Sequence, residues 1–300
     1  MTDSMLGAVS QRRRFAISET RDLGELQQIL DGNRLFAAYA LAQLEPEAFP
    51  HARWWTARSD LGLSLICHSR AGLGDATFAL GPADGVAAIL SLHPGQFQTF
   101  ATAKPAHIEA LEESHVLTGA RQMQRMHVTA ESFRPATGAD GDAKTFRLRG
   151  YQVQTLNRLY SAEGGPTSYR PQHVDDGCYF GIVEDDRLVA VAGTHSISPS
   201  NGVAVVGNVF THPQHRGQRH ATLATSATTV ELLQTCPDVV LSVDPANTPA
   251  ISAYETLGYV RHGEIVEAAA RRRIGGFGVG LRRLVAALRG RRQGVELVNR

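Results

Sequence analysis

The stretch from Val203 to Leu233 constrains this chain most, because a run with the composition of a buried strand passes through a loop into an amphipathic helix. Val203 to Thr211 (VAVVGNVFT) is β-branched and free of charge, as suits a strand covered on both faces. Pro213 stops it by removing a ladder donor. Leu223, Ala227, Val230 and Leu233 recur at spacings of four, three and three, which makes one helix face apolar. The pattern predicts a helix beginning near Arg216, with Arg219 in ordinary right-handed backbone in its first turn. Such a start offers unpaired N–H groups at the positive end of the macrodipole. Gly217 lets the backbone come close to an anion and Arg216 adds a formal charge, so the loop suits a pyrophosphate.

The run THPQHRGQRHA, residues 211–221, resembles the cofactor signature of the GNAT superfamily of acyl-CoA-dependent N-acyltransferases. In that signature Arg or Gln, two residues, Gly, one residue, then Gly or Ala close a strand-to-helix loop. Here the positions are Arg216, Gly217, Gln218, Arg219, His220 and Ala221, so Arg219 stands where the family has Gly. A second block, VVLSVDPANTPAISAYETLGYV (239–260), has the family's next strand, an Asn turn, a Tyr-bearing helix and a Leu-Gly-aromatic ending. Together the blocks cover about 145–268, and this half looks most like the subgroup that includes the glycine N-acyltransferase type of C-terminal domain.

The resemblance implies an α/β fold of α+β mixed-sheet type, with acetyl-CoA (coenzyme A) as co-substrate and no metal. It implies that the backbone of Val209, Phe210 and Thr211 pairs with the pantetheine arm, that Asn247 holds the same arm, and that Tyr254 donates to the coenzyme A sulfur. Blander readings stand beside these. A turn Asn is a common helix cap, and Tyr254, four after Ala250 and three before Leu257, fits a core position. Many relatives carry a Glu on the strand before the loop, where this chain has Gly207 and Asn208. His195 is the remaining candidate base because imidazole titrates near neutral pH, its alternative being a structural role. His212, His215 and His220 lack the spacing of a metal motif and read as surface.

A chain of 300 residues with 43% apolar content has room for two cores. RPATGADGDAKT (134–145) breaks the periodic pattern and reads as a linker. The expected organisation is therefore an α/β domain over 1–133, a GNAT domain over 146–268 and a basic tail over 269–300. Asp22 to Leu30, Leu35 to Leu44, Asp84 to Leu92 and Ile108 to Glu113 read as helical, and Leu61 to His68 as a strand. Their order is loosely that of a degenerate second copy of the acyltransferase fold, without a phosphate loop. Of Trp54 and Trp55, one is expected in the core and one at an interface. The three cysteines are scattered and in no CxxC pair, which predicts neither disulfides nor a cysteine metal site.

No apolar run approaches the ~20 residues of a membrane span, and the N-terminus lacks a signal-peptide pattern, so a cytoplasmic protein is expected. The net charge of +1 conceals a tail of nine arginines and one glutamate, at +8, against −7 on residues 1–268. The tail could form a short amphipathic helix, or stay solvated because Gly275, Gly276, Gly278 and Gly280 weaken any helix nearby. The acidic body argues against nucleic acid as partner. The expected activity is transfer of an acetyl group to a primary amine of a small molecule or amino acid, with a homodimer left open. The alternative is an acyl-CoA-binding sensor or regulatory pseudoenzyme.

Overall fold

Alternation of apolar residues and turn signals builds the same series of elements twice. The computed structural model describes residues 15–71, 74–136, 145–165 and 167–273. The first series is β1 (Ala16–Thr20), α1 (Leu23–Asp31), α2 (Ala38–Leu41), β2 (Ala52–Ser59), β3 (Gly62–Ala71), β4 (Gly74–Leu80), α3 (Ala83–Leu92), β5 (Gln98–Ala103), α4 (Ile108–Ser114) and β6 (His115–Val128). The second is β7 (Thr145–Arg147), α5 (Val153–Ser161), α6 (Pro171–Asp175), β8 (Phe180–Glu184), β9 (Arg187–Ser198), β10 (Val203–Thr211), α7 (His220–Leu232), β11 (Asp238–Val243), α8 (Thr248–Thr256) and β12 (Val260–Arg272). Each series runs strand, two helices, three strands, helix, strand, helix, strand.

All twelve strands join one mixed sheet in the order β1-β2-β3-β4-β5-β12-β6-β11-β10-β9-β8-β7. The β4–β5 and β10–β11 pairs are parallel and the remaining neighbours antiparallel. The order has a pseudo-twofold centre between β6 and β12, and each half lends its last strand to the other. β12 lies against β5, and β6 lies against β11. The sequence boundary near residue 134 is thus crossed by hydrogen-bonded strands.

Successive strand residues point to opposite faces, and two sets of helices cover those faces. Leu26, Leu30, Phe36 and Leu41 from the α1–α2 region pack on Trp54 and Leu65 of the first half and on Val203, Val205 and Val240 of the second. On the other face, Val86 and Ile89 of α3 meet Ile66 and Ala101, while Ile251 and Tyr254 of α8 meet Met126, Val206 and Leu241. Polar bonds tie the halves as well. Asp238 accepts from Arg34 Nε at 2.6 Å and pairs with His127 Nε2 at 2.9 Å, and Ser198 Oγ donates to Glu45 at 2.6 Å.

Three expectations are corrected here. The final strand runs through Arg272, beyond the expected tail boundary at 269, because Ala268 and Ala270 face the core while Ala269 and Arg271 face out. The helix expected over Leu35 to Leu44 is helical only from Ala38, as α2 continued by a 3-10 turn over Ala42–Leu44. The helix expected near Arg216 starts at His220. The rest of the tail from 274, and residues 137–144 of the expected linker, lie outside the described residues. Trp54 is fully buried, and the half-buried Trp55 stacks on His93 with ring centres 3.3 Å apart. All three cysteines are buried and unpaired. No helix among the described residues is long and apolar enough to cross a membrane.

The core of the first half holds a neutral histidine. His68 lies 2.9 Å from the His93 carbonyl through Nε2 and 3.0 Å from Thr77 Oγ1 through Nδ1, and burial pushes its pKa down to about 4. The unfolded chain takes up a proton at this site below a pH of about 6.5, whereas the native state resists until about 4. Stability should therefore fall as pH drops from 6.5 to 4, with roughly 3 kcal/mol of that fall belonging to His68. Thermal melts across this range should show a smaller pH slope in His68→Leu than in the parent.

Candidate active site

The loop between β10 and α7 leaves its donors open. Among the described residues, the backbone N–H groups of Gly217, Gln218, Arg219, His220, Ala221 and Thr222 make no hydrogen bond. The N-cap residue of α7 is Arg219, and its side chain caps nothing. By contrast, Asn247 Oδ1 accepts from Ala250 N at 3.2 Å at the start of α8, and Thr248 N finds the Ala246 carbonyl. One helix closes its own start and the other leaves it for an anion. A Cβ built on Gly217, at φ +80°, would meet nothing within 4 Å, so open space lies in front of the loop.

Arg219 adopts φ +63°, ψ +10°, the left-handed region that favours glycine. This corrects the expectation of right-handed backbone and supplies a physical reason for a Gly at the matching position of the family signature. The exposed Arg219 side chain has no partner among the described residues. Arg216, also exposed, is ion-paired with Glu163 and donates to the Thr211 carbonyl.

The two parallel strands part beside this loop. β10 and β11 pair only from Val203/Asp238 to Val206/Leu241, although β10 continues to Thr211 and β11 to Val243. The edges of Val209, Phe210 and Thr211 that face β11 are left without a strand partner, while Phe210 and Thr211 pair with β9 on the other side. A bulge between Gly207 and Phe210 opens the gap. At the bulge Asn208 has φ +55° and is fully bonded. Tyr160 Oη donates to its carbonyl at 2.7 Å, Tyr169 Oη to its Oδ1 at 2.8 Å, and its Nδ2 donates to Tyr179 Oη at 3.0 Å and to the Thr194 carbonyl at 3.2 Å. Burial holds all three tyrosines above the usual phenol range, Tyr169 at about 12, so they act as neutral donors. Sequence reading missed this cluster. Its members are up to 48 residues apart, so no local pattern in the sequence joins them.

Tyr254 and His195 lie on opposite faces of the sheet. Tyr254 packs with Val206, Leu241 and Val243, is 7% exposed, and burial raises its pKa to about 12. Its hydroxyl has no hydrogen-bond partner among the described residues. His195 sits over Gly207, where any Cβ would strike its ring, 6.0 Å from the Tyr39 ring centre. Its side chain is exposed. Desolvation there and the Arg125 charge hold the imidazole at a pKa of about 4. Arg125 itself is 1% exposed, lies over the Tyr39 ring and donates to Ser242 Oγ at 3.0 Å, while its Nε and Nη2 have no hydrogen-bond partner. Tyr39 Oη reaches Glu267, whose pKa is raised by burial against the opposing pull of Arg125. Tyr39 and Arg125 belong to the first half, so both halves line this face.

The first half has no comparable loop. Only Gly81 and Pro82 separate β4 from α3, and Pro82 O takes the Gly85 and Val86 N–H groups. Gly81, at φ +95°, is pressed against the Leu63 carbonyl.

The His220 side chain is 5% exposed, contrary to the surface expectation, because it points under the loop toward Glu184.

Residues 148–259 match the acetyltransferase (GNAT) family. Among solved structures, a Drosophila protein is 13% identical with a TM-score of 0.61, covering 86% of this chain and 99% of its own. A GCN5-related N-acetyltransferase from Sphaerobacter thermophilus is 14% identical with a TM-score of 0.54, covering 87% of this chain and 97% of its own. One from Kribbella flavida is 20% identical with a TM-score of 0.52, covering 71% and 87%. These likenesses show the fold over most of the chain. No curated protein matches it.

Left-handed backbone at a residue with a side chain costs about 1 kcal/mol. Arg219→Gly should therefore raise the melting temperature by about 2 °C, and a fall would mean that the side chain contributes more than the strain removes.

Proposed function

We propose that this chain, whose residues 148–259 match the acetyltransferase (GNAT) family, moves an acetyl group from acetyl-CoA to a primary amine of a small molecule or amino acid. The observation that carries this reading is the run of six open N–H groups at the start of α7 beside the parted strands β10 and β11. The residues fit the cofactor. The open N–H groups of 217–222 can take an anion, the open space at Gly217 can admit a pyrophosphate, and the free edge of Val209 to Thr211 can pair with an amide-bearing arm. The exposed Arg219 adds charge at the loop, and the Nδ2 of Asn247 stays available while its Oδ1 caps α8.

Bound acetyl-CoA supplies a thioester whose sulfur leaves as a thiolate. Tyr254 remains protonated at a pKa near 12, so it donates a hydrogen bond toward that sulfur. Complete transfer of its proton to a thiolate of pKa ~8.5 is uphill by roughly 5 kcal/mol, so Tyr254 acts as a donor that stabilises developing charge.

On the other face His195 is neutral, but its pKa near 4 makes it a weak base. Taking a proton from an alkylammonium of pKa ~10 is steeply uphill for such a base, whereas recruiting the neutral fraction of the amine from solution at pH 7 costs roughly 4 kcal/mol. The acceptor therefore enters as the free amine, with His195 accepting its N–H, and kcat/KM rises with pH toward the amine's own pKa. A second reading, an acyl-CoA sensor, draws support from Asn208, which stands in place of a carboxylate with its side chain and carbonyl engaged.

An amine panel with acetyl-CoA, read by free thiol release, separates the two: turnover supports the enzyme, and binding without turnover on any amine supports the sensor. Tyr254→Phe should lower kcat by roughly 10²-fold with coenzyme A binding and melting temperature near those of the parent, since the hydroxyl carries no structural bond. Unchanged kcat would remove Tyr254 from the reaction.

A further inference from the structure

Under the cofactor loop, three side chains from separate elements converge. Glu184 ends β8, His215 ends the turn Pro213–His215, and His220 opens α7. His215 Nδ1 lies 2.7 Å from Glu184 Oε2, and His220 Nε2 lies 3.0 Å from Glu184 Oε1. One donor atom from each of the three falls within 4.8 Å of the others. The second of these contacts lacks hydrogen-bond geometry, so both ring nitrogens of the 5% exposed His220 are without a hydrogen-bond partner. A buried imidazole with an unused lone pair beside a carboxylate is a ligand in want of an acceptor of electron pairs.

We propose that Glu184, His215 and His220 bind a divalent transition-metal ion, with Zn²⁺ as the best match. The ligand chemistry selects the ion. Two imidazoles and one carboxylate suit Zn²⁺ and Co²⁺, whereas Mg²⁺ and Ca²⁺ prefer all-oxygen sets. Donors on a four-coordinate Zn²⁺ sit about 3.3 Å apart for bonds of about 2.0 Å, so the two histidine–carboxylate contacts at 2.7 and 3.0 Å open slightly and the widest donor pair, within 4.8 Å, draws in. Three protein ligands leave a fourth position for water. Glu184 and His215 are part-exposed, giving the ion a path in, and the neighbouring Asp185 and Asp186 carboxylates favour its approach.

The consequence is mechanical. The ion would fix both ends of the loop, at 215 and 220, to the end of β8, and so hold the open N–H groups of 217–222 in place whether or not the protein transfers acyl groups. The inference does not depend on the proposed activity.

The test uses the full chain stripped by a chelator. Calorimetry with Zn²⁺ should give one equivalent bound at micromolar affinity or tighter, Co²⁺ should give visible absorption of a four-coordinate site, and Zn²⁺ should raise the melting temperature. Glu184→Gln and His215→Ala, both part-exposed, should each weaken Zn²⁺ binding at least tenfold and abolish the thermal shift. His212→Ala, next to the cluster and outside it, should do neither. Absence of stoichiometric binding to the parent, or equal affinity in the parent and both ligand variants, would overturn the assignment, and a Co²⁺ spectrum of octahedral water alone would do the same.

Discussion

The antiparallel ladder between β6 and β12 is the interaction on which the rest of the structure depends. It joins the two halves at their pseudo-twofold centre, and each of its strands completes the sheet of the half it does not follow in sequence. Because β6 flanks β11, one of the two strands that part at the gap is held by residues of the first half. Arg125 is carried to the middle of the molecule by this pairing, opposite Ser242. The face bearing His195 is thus set jointly by a loop-bearing half and a half that has no loop at all.

The asymmetry between the halves comes down to a few residues at one junction. In the second half eight residues separate β10 from α7, with two left-handed positions, Gly217 and Arg219, aiming consecutive N–H groups outward. In the first, a two-residue connection turns the N–H groups back onto Pro82. A cradle and a sealed corner therefore arise from one supersecondary plan. The Asn208 bulge adds to the difference, since three tyrosines hold it open on the second half's side of the sheet.

Much of this was legible in local sequence. The strand Val203–Thr211 has the bounds that its β-branched run and Pro213 dictate, α8 begins behind Asn247 with Pro249 in its first turn as cap chemistry requires, and α1 begins behind Asp22. Features set by distance or by backbone hand were not legible. Nothing in Gln218-Arg219 announces a left-handed residue, because that conformation favours Gly and Asn, so the sequence pattern puts the start of α7 four residues early. His220 looked like one of several loop histidines, and only the fold brings Glu184, 36 residues earlier in the chain, beneath it. The exchange of final strands left no local trace, since β6 and β12 have the same alternation whichever neighbour they choose.

That exchange bears on synthesis. The edge of β5 meets its partner only when β12 leaves the ribosome, about 160 residues later, a wait on the order of 10–30 s at ordinary elongation rates. During this interval the first half has its helices and five strands but an unpaired edge that includes Phe100. An open strand edge is a template for pairing with other chains. The nascent protein is therefore most exposed to aggregation just before its last strand emerges, and completion of the N-terminal half is a C-terminal event.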